Sequence, residues 1–245
     1  MNTTVDINCD VGEGLDNEAQ LMPFISSCNI ACGGHAGDTQ TMIKTIKLAL
    51  KYTVKIGAHP SFPDVANFGR KVMDMNPFEL QQSLEDQIIR LTTHIDELGA
   101  NLHHVKPHGA LYNLAAIDGA TSQILVNAVK NTTNNVPLYT PYNSKLALVA
   151  RENQLKVIVE AFGDRNYNTD LTLVSRNSEN ALLTNKQLVL SHLVHMIKNK
   201  EVISIDGVGV KMSAKTFCIH GDNPRAIEVV KYLSKELLKL NIKID

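Results

Sequence analysis

Tryptophan is absent, and aromatic residues make up only 5% of the 245 residues. That scarcity counts against a polysaccharide cleft lined with aromatic platforms. Neither sign of charge is in excess. With 24 Lys+Arg against 25 Asp+Glu the net charge is −1, which excludes a nucleic-acid surface built on bulk charge. The 14 glycines and 8 prolines amount to about 9% against an average of roughly 12%, so no linker-rich or disordered chain is expected. No apolar run approaches the ~18 residues of a membrane helix. Met1 to Asp6 lacks a basic and then apolar export signal. The four cysteines, Cys9, Cys28, Cys32 and Cys218, are therefore expected as reduced, buried thiols. Neither GxxxxGK[ST] nor a helix-opening GxGxxG occurs, so P-loop and Rossmann nucleotide binding are unsupported. A cytoplasmic enzyme or binding protein, with no nucleic-acid or membrane partner, is left.

What is present is alternation. Short apolar runs at Val5–Ile7, Cys28–Ala31, Lys55–Ala58, Leu102–Lys106, Val136–Thr140, Val157–Ala161 and Thr216–Ile219 read as seven strands. Helical periods lie between them. Asn76-Pro77-Phe78-Glu79 offers an Asn N-cap, Pro at the first helical position and Glu at the third. Leu84, Ile88, Leu91, Ile95 and Leu98 then form one stripe that stops at Gly99. Asn223-Pro224 is expected to open the last helix in the same way, and Thr184 with Gln187 to cap another. Weaker helical periods cover 41–52, 122–130 and 144–152. Ile203–Gly207 and Val208–Met212 look like a hairpin. Strand-then-helix units imply a parallel sheet covered by helices, closed or open, in one βα domain spanning residues 1–245. In either form, active groups gather at the carboxyl ends of the strands.

Those ends are unusually polar. The first carries Asn8 and Asp10, the second Asn29 and His35, the third His59, the fourth Lys106 and His108, and the seventh His220 and Asp222. The sixth adds Glu160 and then Asp164-Arg165. Four histidines in equivalent positions on different strands converge if the sheet closes, so a shared site is expected. Arg70 and Lys71, after Phe68-Gly69, can hold an anion, as can Lys106 and Arg165. Other histidines read as structural. His192 and His195 share a helix face without a helical carboxylate, His103 and His104 point to opposite faces of a strand, and His94 is a helix-surface residue.

Six strings resemble, in order, the signatures of the LamB/YcsF family: Asp6-Ile7-Asn8-Cys9-Asp10-Val11-Gly12-Glu13-Gly14, Asn29 to Asp38, Gly57-Ala58-His59-Pro60, Val105 to Asn113, Asp164-Arg165-Asn166-Tyr167, and Cys218 to Pro224. The likeness covers essentially the whole chain. Departures stand at Gly34, where an aromatic is expected, at Asn67 for glycine, at Lys71 for a second arginine, and at Gly163 for alanine. The resemblance implies an α/β fold, a seven-stranded βα TIM-like barrel of the glycoside hydrolase/deacetylase type. It also implies ATP-dependent 5-oxoprolinase activity, opening 5-oxo-L-proline to L-glutamate with B and C subunits, with ATP and Mg²⁺ as cofactors.

On that reading Asp10, His59, Lys106 and His108 are the expected catalytic residues. Asn8, Asn29, His35, Arg70, Glu160, Asp164, Arg165, His220 and Asp222 are the expected substrate-binding residues. Lys106 and Arg165 would neutralise phosphate or carboxylate, while Asp10 with His59 or His108 would manage protons or hold Mg²⁺. Whether a transition metal binds stays open. Two alternatives also stay open: a metal-dependent deacetylase using Asp10, His35 and His59 with His108 or His220 as acid, and a non-catalytic scaffold whose partners do the chemistry.

Overall fold

The computed structural model describes residues 3–176 and 178–245; Met1, Asn2 and Asn177 lie outside the described residues. The chain runs β1 (Thr3–Val11), α1 (Glu18–Leu21), β2 (Ser27–Ala31), α2 (Thr39–Tyr52), β3 (Lys55–His59) and α3 (Pro77–Glu97). It continues β4 (Leu102–Val105), α4 (Gly109–Ile117), α5 (Gly119–Thr132), β5 (Leu138–Pro141), α6 (Lys145–Glu152) and β6 (Val157–Phe162). Last come α7 (Lys186–Asn199), β7 (Glu201–Ile203), β8 (Gly209–Lys211), β9 (Thr216–Cys218), α8 (Ala226–Lys239) and β10 (Ile242–Ile244). Strands β1 to β6 pair in sequence order, all parallel, and β9 joins β6 back to β1. The register Asp6↔Thr216, Ile7↔Phe217, Asn8↔Cys218 closes a seven-stranded barrel. β10 extends it, pairing with the first residues of β1.

The helix caps follow local chemistry. Asn76 Oδ1 accepts from Phe78 N, with Pro77 at the first helical position, and Gly99 leaves α3 at φ +66°. Asp38, Asp118 and Ser144 cap α2, α5 and α6 in the same manner. Two expected caps need correction. α7 is capped by Asn185 rather than Thr184, its carboxamide oxygen accepting from Gln187 N and Leu188 N. α8 opens at Ala226 without a side-chain cap, because Asn223-Pro224 is spent in the preceding turn, where Asn223 Oδ1 accepts from Arg225 N. The hairpin is also shifted. β7 and β8 pair at Glu201–Ile203 and Gly209–Lys211, and Ser204–Val208 is the turn, held by a Val208 N–H bond to Ser204 Oγ and by Gly207 at φ +79°. α4 escaped the sequence reading because it is apolar nearly all round, leaving no polar face to reveal its period.

The outer layer is ordinary. Ile7, Ile30, Ile56, Val105, Leu138 and Phe217 point outward and pack under Met42, Ile46, Leu84, Ile88, Leu91, Val230 and Leu233. The barrel interior is not. Branched apolar side chains usually fill such a space; here it is polar. Asn8 Nδ2 donates to Glu160 Oε1 (2.9 Å) and Thr216 Oγ1 (2.7 Å), and Asn29 Nδ2 donates to Asn8 Oδ1 (2.8 Å) and Asp10 Oδ1 (2.7 Å). His104 donates from Nε2 to Asn29 Oδ1 (2.7 Å) and stacks on Tyr139 at 3.9 Å. Gly57 makes room for that ring, since a Cβ there would sit 2.1 Å from His104 Nε2. These bonds tie Asn8, Asn29, His104 and Glu160 Oε1 into one buried network that fixes their geometry, with Glu160 Oε2 left without a hydrogen-bond partner among the described residues.

Candidate active site

At the carboxyl end of the barrel the interior network surfaces in a cleft of about 540 Å³. Asp10 closes β1's inward row, His59 is the last residue of β3, and Lys106 follows β4 directly. Pro107 then turns the chain so that His108 occupies the N-cap position of α4. Phe162 and His220 come from the ends of β6 and β9, and Arg70, Arg165 and Arg176 from loops on the rim.

Lys106 is the electrostatic centre. Its ammonium donates to Asp10 Oδ1 at 2.9 Å, pairs with Glu160 Oε1 at 3.0 Å and reaches Cys218 Sγ at 3.1 Å. Burial opposes its charge, but Asp10 and Glu160 outweigh burial and hold its pKa well above the usual lysine value. Burial likewise opposes ionisation of Asp10, yet His59 and Lys106 bring its carboxyl well below the ordinary range. Burial pushes the Cys218 thiol well up despite Lys106, so this cysteine is a packing neighbour of the ion pair, not a thiolate.

Beside this pair lies an imidazole cluster. His59 donates from Nδ1 to the Lys106 carbonyl (2.7 Å), and its Nε2 stands 3.5 Å from Asp10 Oδ2 and 3.0 Å from His108 Nδ1. His108 donates from Nε2 to the Phe68 carbonyl (3.0 Å) and stacks face to face on His35 at 3.7 Å. His35 Nε2 meets Glu13 Oε1 at 3.0 Å, and its Nδ1 meets Ser61 Oγ at 3.0 Å. Burial lowers the pKa of His35 and lowers that of His108 well below the free value. Ligand atoms of Glu13, His35, His59 and His108 lie within 4.8 Å of one another. The set gathered here is thus not the Asp10, His35 and His59 combination raised for a deacetylase.

On the other wall His220 bonds through Nδ1 to Asp164 Oδ1 at 2.7 Å and stacks on Phe162 at 5.2 Å. Asp164 also accepts from the His220 amide and from Asn223 Nδ2. This carboxylate fixes the imidazole and leaves Nε2 as the nitrogen available to the cleft. On the rim Asp222 is flanked by two guanidinium groups, Arg70 and Arg176, the latter at 2.8 Å. One acid between two cations leaves net positive charge at the entrance.

Asp10, His59, Lys106, His108, Arg70, Arg165 and His220 line the cleft. Six nominated residues stand outside its lining. Asn8, Asn29 and Glu160 are buried in the barrel beneath the mouth, where they hold Asp10 and Lys106 instead of meeting a ligand. Asp164 is buried behind His220. His35 is buried behind His108 and bonds Glu13. Arg165 also works differently from expectation: Nε and one terminal nitrogen donate to the Ala181 and Val174 carbonyls, so the guanidinium ties down its own loop. Asp222 holds arginines and is no free carboxylate.

Sequence reasoning missed Glu13, Tyr112 and Arg176. Glu13 lies two residues past the end of β1, where the strand alternation no longer tells which way a side chain points. Tyr112 is on the unread helix α4. Arg176 is far along the chain from any strand end and reaches the cleft only through the loop that Arg165 secures. The remaining histidines are structural, with one refinement: His195 bonds Glu201 (3.1 Å), whereas His192 is half-buried against Tyr167 rather than on the helix surface. All four cysteines are buried free thiols.

Comparison with known proteins agrees with this architecture. The LamB/YcsF family model matches residues 5–245. The chain is 39% identical over 248 residues to a protein of Bacillus cereus named as the A subunit of 5-oxoprolinase, covering 98% of each. It is 40% identical over 245 residues to the protein of that name in Shouchella clausii, covering 98% of this chain and 97% of that one. The crystal structure of a lactam utilization protein from Thermus thermophilus superposes with a TM-score of 0.93 at 33% identity, covering 99% of both chains. A substrate-bound T48 deacetylase shares the fold alone, with a TM-score of 0.52 at 11% identity. On the family match across nearly its whole length, this chain belongs to the LamB/YcsF family.

Proposed function

We propose that this chain is the A component of a cytoplasmic ATP-dependent 5-oxoprolinase, which cleaves 5-oxo-L-proline to L-glutamate together with B and C subunits. The observation that carries the reading is a cleft where Asp10, His59, His108 and His220 stand opposite Lys106 and a rim of arginines. The chain's relatives are named as the A component of 5-oxoprolinase.

A five-membered lactam is a stable amide, and water attacks it slowly. Transfer of the γ-phosphoryl group of ATP to the lactam oxygen, releasing ADP, makes the ring carbon electrophilic. Water then adds to that carbon, the ring C–N bond breaks with protonation of nitrogen, and a second water releases inorganic phosphate. The residues suit these needs. Arg70, Lys71 and Arg176 supply the positive rim for a carboxylate or for phosphates arriving with Mg²⁺. Lys106 holds charge deep in the cleft. His220, oriented by Asp164, is placed to move the protons of water addition and nitrogen departure. Tyr112 closes one wall, its phenol kept protonated first by burial and then by the nearby Glu160 charge.

The test is 5-oxoproline-dependent release of ADP and glutamate by the purified chain with its candidate partner subunits. Turnover that needs all components and ATP supports the reading. Lactam or N-acyl hydrolysis by the chain alone, without nucleotide, overturns it.

A further inference from the structure

The hydrogen-bond partners of His59 and His108 fix which of their nitrogens carry hydrogen. His59 Nδ1 and His108 Nε2 lie 2.7 and 3.0 Å from the Lys106 and Phe68 carbonyls. A carbonyl only accepts, so both of these nitrogens are protonated. The neutral rings then present bare lone pairs at His59 Nε2 and His108 Nδ1, which face each other at 3.0 Å. Two lone pairs at that distance repel. Something positive belongs between them, either a shared proton or a metal ion.

The surroundings favour the metal. Glu13 Oε1 stands 3.5 Å from His108 Nδ1, and Asp10 Oδ2 stands 3.5 Å from His59 Nε2. The side chains of Glu13, Asp10 and Glu160 are all buried, and Lys106 is the buried ammonium among them. One shared proton leaves this group negative, whereas a divalent ion balances it. The separations of 3.0 and 3.5 Å bracket the roughly 3.3 Å expected between two ligands of a tetrahedral ion with bonds of about 2.0–2.1 Å.

We propose that His59 Nε2, His108 Nδ1 and Glu13 Oε1 bind a divalent transition-metal ion of the zinc class at the cleft floor, its fourth position open toward Asp10. Imidazole and carboxylate donors without thiolate suit such an ion. Three protein ligands leave a position for water or a substrate oxygen. His35 is not a fourth ligand. Its ring lies parallel to His108, 3° from coplanar orientation and 3.7 Å away, so an ion in the His108 plane is well out of the His35 plane. His35 instead bonds Glu13 at 3.0 Å and holds that carboxylate in place. This inference goes beyond the proposed reaction, because metal uptake depends on neither ATP nor lactam.

The full-length chain, stripped with chelator and reloaded with Zn²⁺ or Co²⁺, is expected to retain one equivalent of ion. The cobalt form should show the visible absorption of a four-coordinate site. Anomalous diffraction at the zinc edge on wild-type crystals should place the ion between His59, His108 and Glu13. His108→Ala and Glu13→Gln should each weaken binding by at least about 100-fold, with circular dichroism checking the fold, and His195→Ala should leave it unchanged. Folded wild-type chain that retains no ion, or an ion found elsewhere, overturns the proposal and assigns the contact to a shared proton. The wild-type measurements decide the matter even if a variant fails to fold.

Discussion

Lys106 and Asp10 form an ion pair at 2.9 Å, with both side chains more than nine-tenths buried in the polar barrel interior. Glu160 shares the same ammonium at 3.0 Å. Removing the lysine therefore strands two carboxylates. Lys106→Met should abolish turnover of the reconstituted complex and cost about 3–5 kcal/mol of stability, read by urea unfolding. Asp10→Ala and His59→Ala should also abolish turnover. Near-normal activity in all three variants would falsify their place in the chemistry.

Gly57 is reserved for the His104 ring. In Gly57→Ala the new Cβ meets the imidazole at 2.1 Å, and a loss of roughly 1–3 kcal/mol is expected. Combining it with His104→Ala should recover part of that loss. A double variant whose unfolding midpoint shows only the sum of two independent penalties speaks against the contact.

The Asp164–His220 bond of 2.7 Å predicts a kinetic signature. His220→Ala should lower kcat by about 10²-fold or more, with a smaller change in KM. Asp164→Asn should act in the same direction, since it removes the partner that fixes the ring. A change confined to KM would make His220 a binding group only.

Arg176, flanking Asp222 opposite Arg70, should matter for anion capture. Arg176→Ala is expected to raise KM for 5-oxoproline or ATP about 10-fold while leaving kcat nearly intact. Arg176→Lys should recover only part of the effect, because an ammonium cannot reproduce the planar fork. Unchanged KM for both substrates removes Arg176 from recognition.

His192 gives the fold a dependence on acid. Burial pushes its pKa down to about 4, below the unfolded value of about 6.5. Its contribution is therefore fully present above pH ~6.5 and is lost as pH falls from there toward 4, up to about 3 kcal/mol. Urea midpoints at pH 7.5 and pH 5.0 should differ less in His192→Gln than in the native chain. Equal differences would show that other groups carry the acid sensitivity.

Much of the site was legible because strand ends advertise it. A parallel βα barrel brings every carboxyl strand end to one mouth, so His59, Lys106, His108 and His220 could be assigned to one place before any distance was known. Depth was not legible. Asn8 and Asp10 both point inward on β1, and nothing in their spacing tells which one lies under the other. Nor does sequence reveal that two Arg165 donors are taken up by loop carbonyls, because that depends on a loop folding back 9 to 16 residues later. Gly34 shows the reverse case. An aromatic was expected there, but in this chain Gln87 Oε1 and Ser61 Oγ would lie 2.3 and 2.4 Å from any Cβ, so glycine fits the way its neighbours are packed.

By itself the sequence determined the alternation of strand and helix, most of the caps and the polar character of the mouth, since these rest on periodicities and contacts within a few residues. Only the tertiary structure decided that Glu13 faces His35 and His108, that the lone pairs of His59 and His108 oppose each other, and that Arg176 joins Arg70 at Asp222. Those relations join residues from separate βα units, and ångström-scale placement of their atoms follows from barrel closure and packing, which no local pattern encodes.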